Sequence, residues 1–480
     1  MQVVSKRKRI WGWFFFDWAS QPFHTLLVTF VFGPFFAAVA ADFFMGQGLA
    51  DEAAKAQAQS IWSLCLTVTG LIIGFGGPFL GALADISGRR IPWVMAFSVM
   101  YVAGAAGLWF MNPDGSNLWW MLISFGIGFI GAEFALIFVN SQLPSLCDKD
   151  DVGKISGSGF AFGYLGGVIA LFILLLLFVE QSNGKTLIGL DPAFGLNAEA
   201  KEGTRAVGPI TAIWFAVFMV PYFLWVRDGK STGQWGSFGD AIRLVVQSIA
   251  NLRNRLSLAS YLGSSMLYRD ALNGLYGFGG VYALLVLGWE ITAIGVFGIV
   301  AAISSALFCW MGGIVDRRIG PKPVIIFSIL ILILVCVTIV GMSREQLFGA
   351  PISSAPVLPE VIAFNIPFVS EVSFAISFAK NVALPDLIFF CCGVLIGGFG
   401  GILQATSRSL MVRHTNPEYP TESFGLYGLS GRATAFLAPM LIGVATTVTG
   451  SARLGISPVV VLFILGLILL IWVRAEGDQD

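Results

Sequence analysis

Charged side chains interrupt several long apolar stretches of this 480-residue chain. If those stretches lie in a membrane, each embedded charge costs about 3 kcal/mol or more, so such residues usually face a polar pathway and usually have partners. A carboxylate there can bind a proton or an amine, and a guanidinium can hold a carboxylate through two hydrogen bonds. The embedded acids and bases are Asp17, Glu133, Arg269, Asp270 and Arg432, and His24 is the embedded histidine.

Glu133 is the best candidate for proton transfer or substrate contact, because no basic residue lies at helical spacing from it. A structural ion pair with Arg432 is the alternative. Asp17 can bind a substrate amine, or it can cap or pair structurally. His24 can transfer a proton, although a lone histidine on an apolar helix more often forms a simple hydrogen bond. Three acids against two cations leave about one negative charge, which a proton would neutralise.

Arg269 and Asp270 are adjacent, so on a helix their side chains point about 100° apart and do not face each other. Arg269 can hold a substrate carboxylate, and Asp270 with Asn273 can line one face of the helix. An interhelical ion pair is an equal alternative. Arg432 follows Ser430 and Gly431 and can act as a substrate anchor or as a gate pair.

No motif in the chain indicates an enzyme. The chain has no Walker-type sequence, no HExxH and no nucleophile triad, and it has two histidines in all. We therefore expect no enzymatic activity, no cofactor and no metal. The six cysteines include no CxxC pattern and are interpreted as small apolar side chains.

Composition predicts a polytopic membrane protein. Hydrophobic residues make up 56% of the chain and charged residues 12%, about half the usual share of charge in soluble proteins. A spanning helix needs about 20 mostly apolar residues. Twelve such stretches are found near 11–36, 60–83, 91–111, 118–140, 158–180, 209–227, 257–287, 291–315, 323–342, 386–407, 423–448 and 457–474.

The loops predict an orientation. If both termini are cytoplasmic, 19 basic residues fall on the cytoplasmic side, 7 outside and 2 within spans, which satisfies the positive-inside rule. The basic run at 6–9 with the following apolar stretch is similar to a signal peptide, but that stretch is too long for one. We expect an uncleaved first helix and a multi-pass protein of a bacterial inner membrane.

The chain divides into two groups of six spans, at 1–227 and 257–480, with a cytoplasmic linker at 228–256. The linker is amphipathic from Asp240 to Leu256 and is expected to lie along the membrane surface as a helix. The longer outside stretches, 181–208 and 343–385, carry no motif that indicates a role.

Two similar turns follow the second and the eighth spans, 231 residues apart. Each has a glycine, an aspartate four residues later, a second glycine and then a basic residue, and the second turn has one extra residue between the aspartate and the glycine. The residues that we expect to take part in a conformational switch are Gly81, Asp85, Gly88, Arg89 and Arg90 in the first turn, and Asp316, Arg317 and Lys322 in the second.

The first of these turns resembles the cytoplasmic loop signature of the major facilitator superfamily, and the second resembles its degenerate copy. Three further segments resemble the vacuole-effluxer-like (autophagy-related permease) branch: Phe16 to Ser20 with Thr29 to Phe36, Gln404 to Met411, and Phe424 to Thr434. Phe16 and Gly33 depart from the residues common in that branch, which are Tyr and Pro.

This resemblance implies an all-α fold of twelve transmembrane helices in two pseudo-symmetric halves. It also implies a central cavity lined by helices 1, 4, 7 and 10, which carry the three embedded acids. In such proteins the turn can act as a latch that favours one conformation. The fungal relatives are linked to the release of amino acids from vacuoles.

The expected function is transport of a small solute by alternating access, with efflux of amino acids or similar metabolites as the specific hypothesis. Coupling to protons and facilitated diffusion both remain open. The alternatives are uptake of a peptide, sugar or drug-like compound, and a non-transporting receptor on the same fold. The expected partners are the solute, protons and the lipid bilayer, without nucleic acid, and the expected state is a monomer.

Overall fold

The computed structural model describes residues 4–181, 184–186, 188–228, 237–287, 289, 291–353, 355, 362–364, 372–374, 382–416, 418–434, 436–449 and 451–477. The first six long helices are α1 Lys6–Gly46, α2 Asp51–Ser87, α3 Ile91–Gly107, α4 Leu118–Asn140, α5 Val152–Leu177 and α6 Glu202–Trp225. The next six are α7 Leu256–Leu285, α8 Ile291–Ile319, α9 Pro321–Gly341, α10 Leu384–His414, α11 in two segments (Pro420–Ala433 and Leu437–Thr449), and α12 Arg453–Trp472.

The prediction of an all-α polytopic fold is confirmed. Within the described part of the chain, ten helices are long and apolar enough to cross a membrane. The other two predicted spans are also helical. They are α7, which carries Arg269 and Asp270 near its middle, and α11, which is interrupted between its two segments.

Helix α1 changes its winding in the membrane. An α-helix to Pro22 continues as a π-helix over Phe23–Phe30 and resumes at Phe32. Pro22 has no N–H and cannot donate to the carbonyl one turn earlier, that of Trp18. The indole Nε1 of Trp214 in α6 donates to this carbonyl at 3.1 Å instead. The freed acceptor is therefore satisfied, and α1 is joined to α6 beside the wider turns.

One end of the helix bundle carries both chain ends, and we call it the terminal face. Lys6 at the start of α1 forms an ion pair with Asp148, which lies between α4 and α5, at 3.3 Å. Arg413 near the end of α10 pairs with Glu476 beyond α12. Because successive spans alternate in direction, the turns at 85–90 and 316–320 lie on this face too. Its assignment to the cytoplasm remains a prediction.

A linker helix, Phe238–Asn251, connects α6 and α7. Its exposed apolar side chains follow helical spacing at Phe238, Ile242, Val246 and Ile249. The Phe238 ring lies 4.5 Å from that of Phe79 in α2. An amphipathic helix with one exposed apolar stripe suits a position along the membrane surface.

The outside stretch between α9 and α10 contains short antiparallel strands. Strand β1 (Gln346–Leu347) pairs with β2 (Ala350–Pro351), and β3 (Ile362–Phe364) pairs with β4 (Val372–Phe374). Most of the remainder of 343–385 lies outside the described residues.

Candidate functional site

An ion pair between Asp17 of α1 and Arg408 of α10 lies at the centre of the bundle, toward the terminal face. Both Nη atoms of Arg408 lie 3.3 Å from Oδ2 of Asp17. The two side chains are 2% and 8% exposed. Since α1 and α10 belong to the first and the second group of six helices, this pair joins the two groups.

The guanidinium of Arg408 has other partners that use its remaining donors. Its Nη1 donates to Oδ1 of Asn140 at 3.0 Å, and its Nε and Nη2 donate to Oγ and the carbonyl of Ser156, both at 2.9 Å. The rings of Trp13 and Phe160 lie 4.5 and 4.1 Å from its Cζ. A buried charge is tolerated where it is both paired and hydrogen-bonded. We call these contacts around Arg408 the floor of the expected central cavity.

Arg408 is an embedded charge that was not predicted from the sequence. The predicted tenth span ends at 407, whereas α10 continues to His414. The signal was available, because Arg408 belongs to the Gln404–Met411 segment that supported the family resemblance. Adding Arg408 gives three acids and three cations among the embedded residues. The charge count therefore no longer argues for a bound proton.

Glu133 of α4 lies beside His24 of the π-helical part of α1. Oε1 of Glu133 is 3.7 Å from Nε2 of His24, and the two side chains are 12% and 37% exposed. At this distance the two groups form an ion pair when the imidazole is protonated. The ring of Phe129 lies 6.1 Å from the imidazole. This arrangement places one acid and one base side by side, at a separation longer than a hydrogen bond.

Arg269 of α7 faces α11. Its Nη1 donates to the carbonyl of Tyr427 at 3.2 Å, and its Cζ lies 4.4 Å from the Tyr427 ring. The guanidinium is packed against Gly431, where a Cβ would lie 2.6 Å from it. Arg269 also lies within electrostatic range of Glu133. An acid of the first group and a base of the second therefore lie near each other.

Asp270 points away from Arg269, as expected for adjacent helical residues. Its Oδ2 accepts a hydrogen bond from the backbone N–H of Ala438 at 3.0 Å, so it caps the second segment of α11. Asp270 is buried and Asn273 is exposed, so the two side chains lie in different surroundings. The side chain of Arg432 lies outside the described residues, as do its expected pairing with Glu133 and its expected anchor or gate role.

Polar side chains occupy the space one turn above the floor. The hydroxyls of Tyr164 in α5 and Tyr276 in α7 lie next to the side chain of Gln404 in α10. Gln404 precedes Arg408 by about one helical turn, or about 6 Å along the axis. These hydroxyl and amide groups can donate to and accept from a polar solute in the cavity.

The first turn of the repeat joins α2 to the start of α11. Asp85 forms an ion pair with Nη2 of Arg90 at 2.9 Å, and its Oδ2 accepts from the backbone N–H of Glu422 at 2.8 Å. Nε of Arg90 donates to Oγ1 of Thr421 at 2.8 Å. A carboxylate at a helix N-terminus is stabilised by the unpaired N–H groups and the helix dipole. Asp85 therefore caps a helix that belongs to the other group.

Gly88 and Arg89 shape this turn. Gly88 has φ +65°, a left-handed conformation that favours glycine and ends α2. The backbone N–H of Arg89 donates to Oγ of Ser87 at 3.3 Å. Gly81 lies where α2 meets α11, and a Cβ there would lie 2.7 Å from the carbonyl of Thr421. Small size at Gly81 thus permits the close approach of the two helices.

The second turn makes related contacts between α8 and α5. The buried Asp316 packs against Gly153 near the start of α5, and Nε of Arg317 lies 3.0 Å from Oδ1 of Asp151. Lys322 instead stays within its own group, since its Nζ donates to the carbonyl of Val473 at 2.6 Å. Both turns therefore place an aspartate against a helix start in the opposite group.

The described ion pairs between the two groups lie toward the terminal face: Asp17 with Arg408, and Arg317 with Asp151. The Asp85 cap on α11 adds to them. The structure thus shows the conformation in which this face is closed.

Comparison with known proteins agrees with this architecture. Residues 5–352 and 385–479 match the family described as "Vacuole effluxer Atg22 like". An uncharacterised MFS-type transporter, YxiO of Bacillus subtilis (strain 168), is 22% identical over 475 residues, which cover 98% of this chain and 95% of the relative. Autophagy-related protein 22-1 of Aspergillus niger is 22% identical over 342 residues, covering 68% of this chain but 48% of the fungal protein.

Solved structures of low sequence identity share the fold. The transporter FucP in its outward conformation aligns with a TM-score of 0.63 at 12% identity, covering 98% of this chain and 99% of FucP. The human organic anion transporter MFSD10 aligns with a TM-score of 0.65 at 15% identity, covering 97% and 99%. Both share the fold of this chain over nearly its whole length.

Proposed function

We propose, since the chain belongs to the vacuole effluxer Atg22-like family of major facilitator transporters, that it exports amino acids or similar zwitterionic metabolites. Transport of a small molecule follows from the family and the fold. The cargo, the direction and the coupling ion are our proposals. Transport would proceed by alternating access, with the two groups of six helices moving about the central cavity.

The observation that carries the proposal is a pair of opposite charges, Glu133 of the first group and Arg269 of the second, that lie within electrostatic range of each other. Arg269 offers a planar donor fork to a substrate carboxylate, and Glu133 offers a carboxylate to a substrate ammonium. Arg269 is part-buried and stacked on Tyr427, which reduces the conformational entropy lost on binding. A zwitterion satisfies both groups at once, whereas a neutral sugar satisfies neither by charge.

For coupling, we propose that Glu133 and His24 carry the transported proton. Their separation is 3.7 Å, so a small approach of the two side chains or one bridging water would let a proton pass between them when substrate leaves. We do not assign this role to Asp17, because its carboxylate is paired with the Arg408 guanidinium, which is itself hydrogen-bonded to neighbouring side chains. Facilitated diffusion without a proton is the competing scheme.

The test uses purified protein in proteoliposomes loaded with a mixed pool of labelled amino acids. Release is followed with and without an imposed pH gradient, for the wild type, Glu133→Gln and a matched control, Arg243→Gln, on the exposed side of the linker helix. We expect gradient-dependent release by the wild type and the control, and loss of the gradient dependence in Glu133→Gln.

Other results would redirect or overturn the proposal. Release that does not depend on the pH gradient in any of the proteins would support facilitated diffusion. If no amino acid is released by correctly inserted protein, the cargo proposal fails, and peptide, sugar and drug-like substrates become the next set to assay. If none of these is moved either, a receptor role is favoured.

A further inference from the structure

A groove of about 460 Å³ opens on the outside of the bundle where α5 meets α8, at the terminal face. Its lining is basic at one end and apolar at the other, with Lys154, Arg317 and Arg318 beside Trp310 and Ile314. None of these residues belongs to the central cavity, so the groove is a separate site.

Two of the three cations have no acidic partner in the described part of the chain. Arg317 pairs with Asp151 at 3.0 Å, but no carboxylate of the described residues lies within 4.0 Å of the Lys154 ammonium or the Arg318 guanidinium. All three side chains are exposed. Lys154 comes from the first group of helices and Arg318 from the second, so the groove gathers positive charge from both.

The apolar side of the groove continues along α8 toward the middle of the bundle. Leu307, Trp310 and Met311 are 59%, 54% and 53% exposed, and their spacing of three and four residues places them in one stripe with Ile314. Trp310 lies about 10 Å from Arg317 along the helix axis. Cations at the end of a span above an exposed tryptophan occupy the depths of lipid headgroups and of the upper acyl chains.

We propose that this groove binds an anionic phospholipid of the leaflet at the terminal face. The phosphate accepts hydrogen bonds from Lys154 and Arg318, and an acyl chain lies along Trp310 and Leu307. Basic pockets between transmembrane helices suit such headgroups. A soluble anion is the poorer occupant, because it would leave the apolar stripe without a ligand.

Lipid binding at this position has a conformational consequence. The two cations are close together because α5 and α8 are in contact in this structure, where Gly313 packs against Gly157. Opening of the terminal face would separate the cations. A ligand that binds one conformation better shifts the population toward it. The phospholipid therefore stabilises the closed terminal face, whatever the cargo of the central cavity is.

Direct binding in detergent tests the site independently of transport. Purified protein is titrated with dioleoyl-phosphatidylglycerol, with dioleoyl-phosphatidylcholine of the same chains, and with glycerol phosphate, and the bound lipid is counted by native mass spectrometry. The variants are Lys154→Gln with Arg318→Gln, the single variant Trp310→Ala, and a control, Arg7→Gln with Lys8→Gln, which removes two exposed charges from the same face.

We expect the wild type and the control to bind phosphatidylglycerol in preference to phosphatidylcholine. Each lost groove cation should weaken the binding of phosphatidylglycerol about fivefold. Trp310→Ala should weaken the binding of both lipids. Equal binding of the two lipids, equal loss in the control, or full competition by glycerol phosphate would overturn the proposal. Failure of amino-acid transport in proteoliposomes would leave this result unaffected.

Discussion

Asp17 and Arg408 form a buried ion pair between residues 391 positions apart in the chain, linking α1 to α10. The guanidinium is also held by Asn140 and Ser156. Removing one partner of a buried pair leaves the other charge uncompensated, which typically costs about 3–5 kcal/mol. The conformation in which the pair forms therefore depends on both members.

Asp17→Asn and Arg408→Gln are each expected to open the terminal face. A loss of about 3 kcal/mol changes the equilibrium between closed and open states by roughly 100-fold. Spin labels at Asp150 and Ile319, placed in a background without the native cysteines, report the separation of α5 and α8 by pulsed electron resonance. We expect longer distances in both variants. Unchanged distances in both would show that the pair does not hold the face closed.

Lys185→Gln provides the control for these measurements. It removes an exposed ion pair with Asp191 in the loop between α5 and α6, at the other face. An exposed pair contributes at most about 1 kcal/mol. The distance between the labels should therefore stay at the wild-type value.

The Asp85 cap on α11 can be separated from its ion pair. Asp85→Asn keeps a side-chain oxygen that can accept from the N–H of Glu422 but loses the pair with Arg90, whereas Asp85→Ala loses both. Loss of a cap costs about 1 kcal/mol. We expect the terminal face to be most open and transport to be slowest in Asp85→Ala. Asp85→Asn should be intermediate between Asp85→Ala and the wild type. Identical behaviour of Asn and Ala would assign the whole effect to the ion pair.

Gly81→Ala tests the close approach of α2 and α11. The added methyl group would lie 2.7 Å from the carbonyl of Thr421, and such overpacking costs about 1–3 kcal/mol. Gly70→Ala is the matched control on the same helix, since nothing lies within 4 Å of a Cβ there. We expect slower transport and a more open terminal face for Gly81→Ala alone. Equal effects of the two changes would point to helix propensity as the cause.

Arg269 is expected to set affinity for the substrate carboxylate. Arg269→Gln removes a charged hydrogen bond and should raise KM by roughly 10- to 100-fold. Arg269→Lys keeps the charge but loses the planar fork, so its KM should be intermediate. Initial rates of amino-acid release at several internal concentrations give these values. A lower maximal rate with an unchanged KM would assign Arg269 to conformational change and not to binding.

The helices could be predicted from the sequence because a bilayer imposes one strong rule, a run of about 20 apolar residues for each span. The ends of the helices were predicted less well. The π-helical turns of α1 follow Pro22, and α10 extends to His414, whose imidazole contacts the Ser257 hydroxyl of α7. Arg408 was therefore predicted to lie outside the membrane. Without it the embedded acids outnumbered the embedded cations by one, which suggested a bound proton; with Arg408 included the two numbers are equal and the count gives no reason for one.

The fold class, the family and the embedded charges other than Arg408 could be read from the sequence, since composition, spacing and motifs are local properties of the chain. The tertiary structure decided which charges meet. Asp17 pairs with Arg408, and Asp85 caps the start of α11, although each partner lies hundreds of residues away in the chain. Pairing depends on how helices pack, and packing places side chains to within an ångström or two, which no linear spacing specifies.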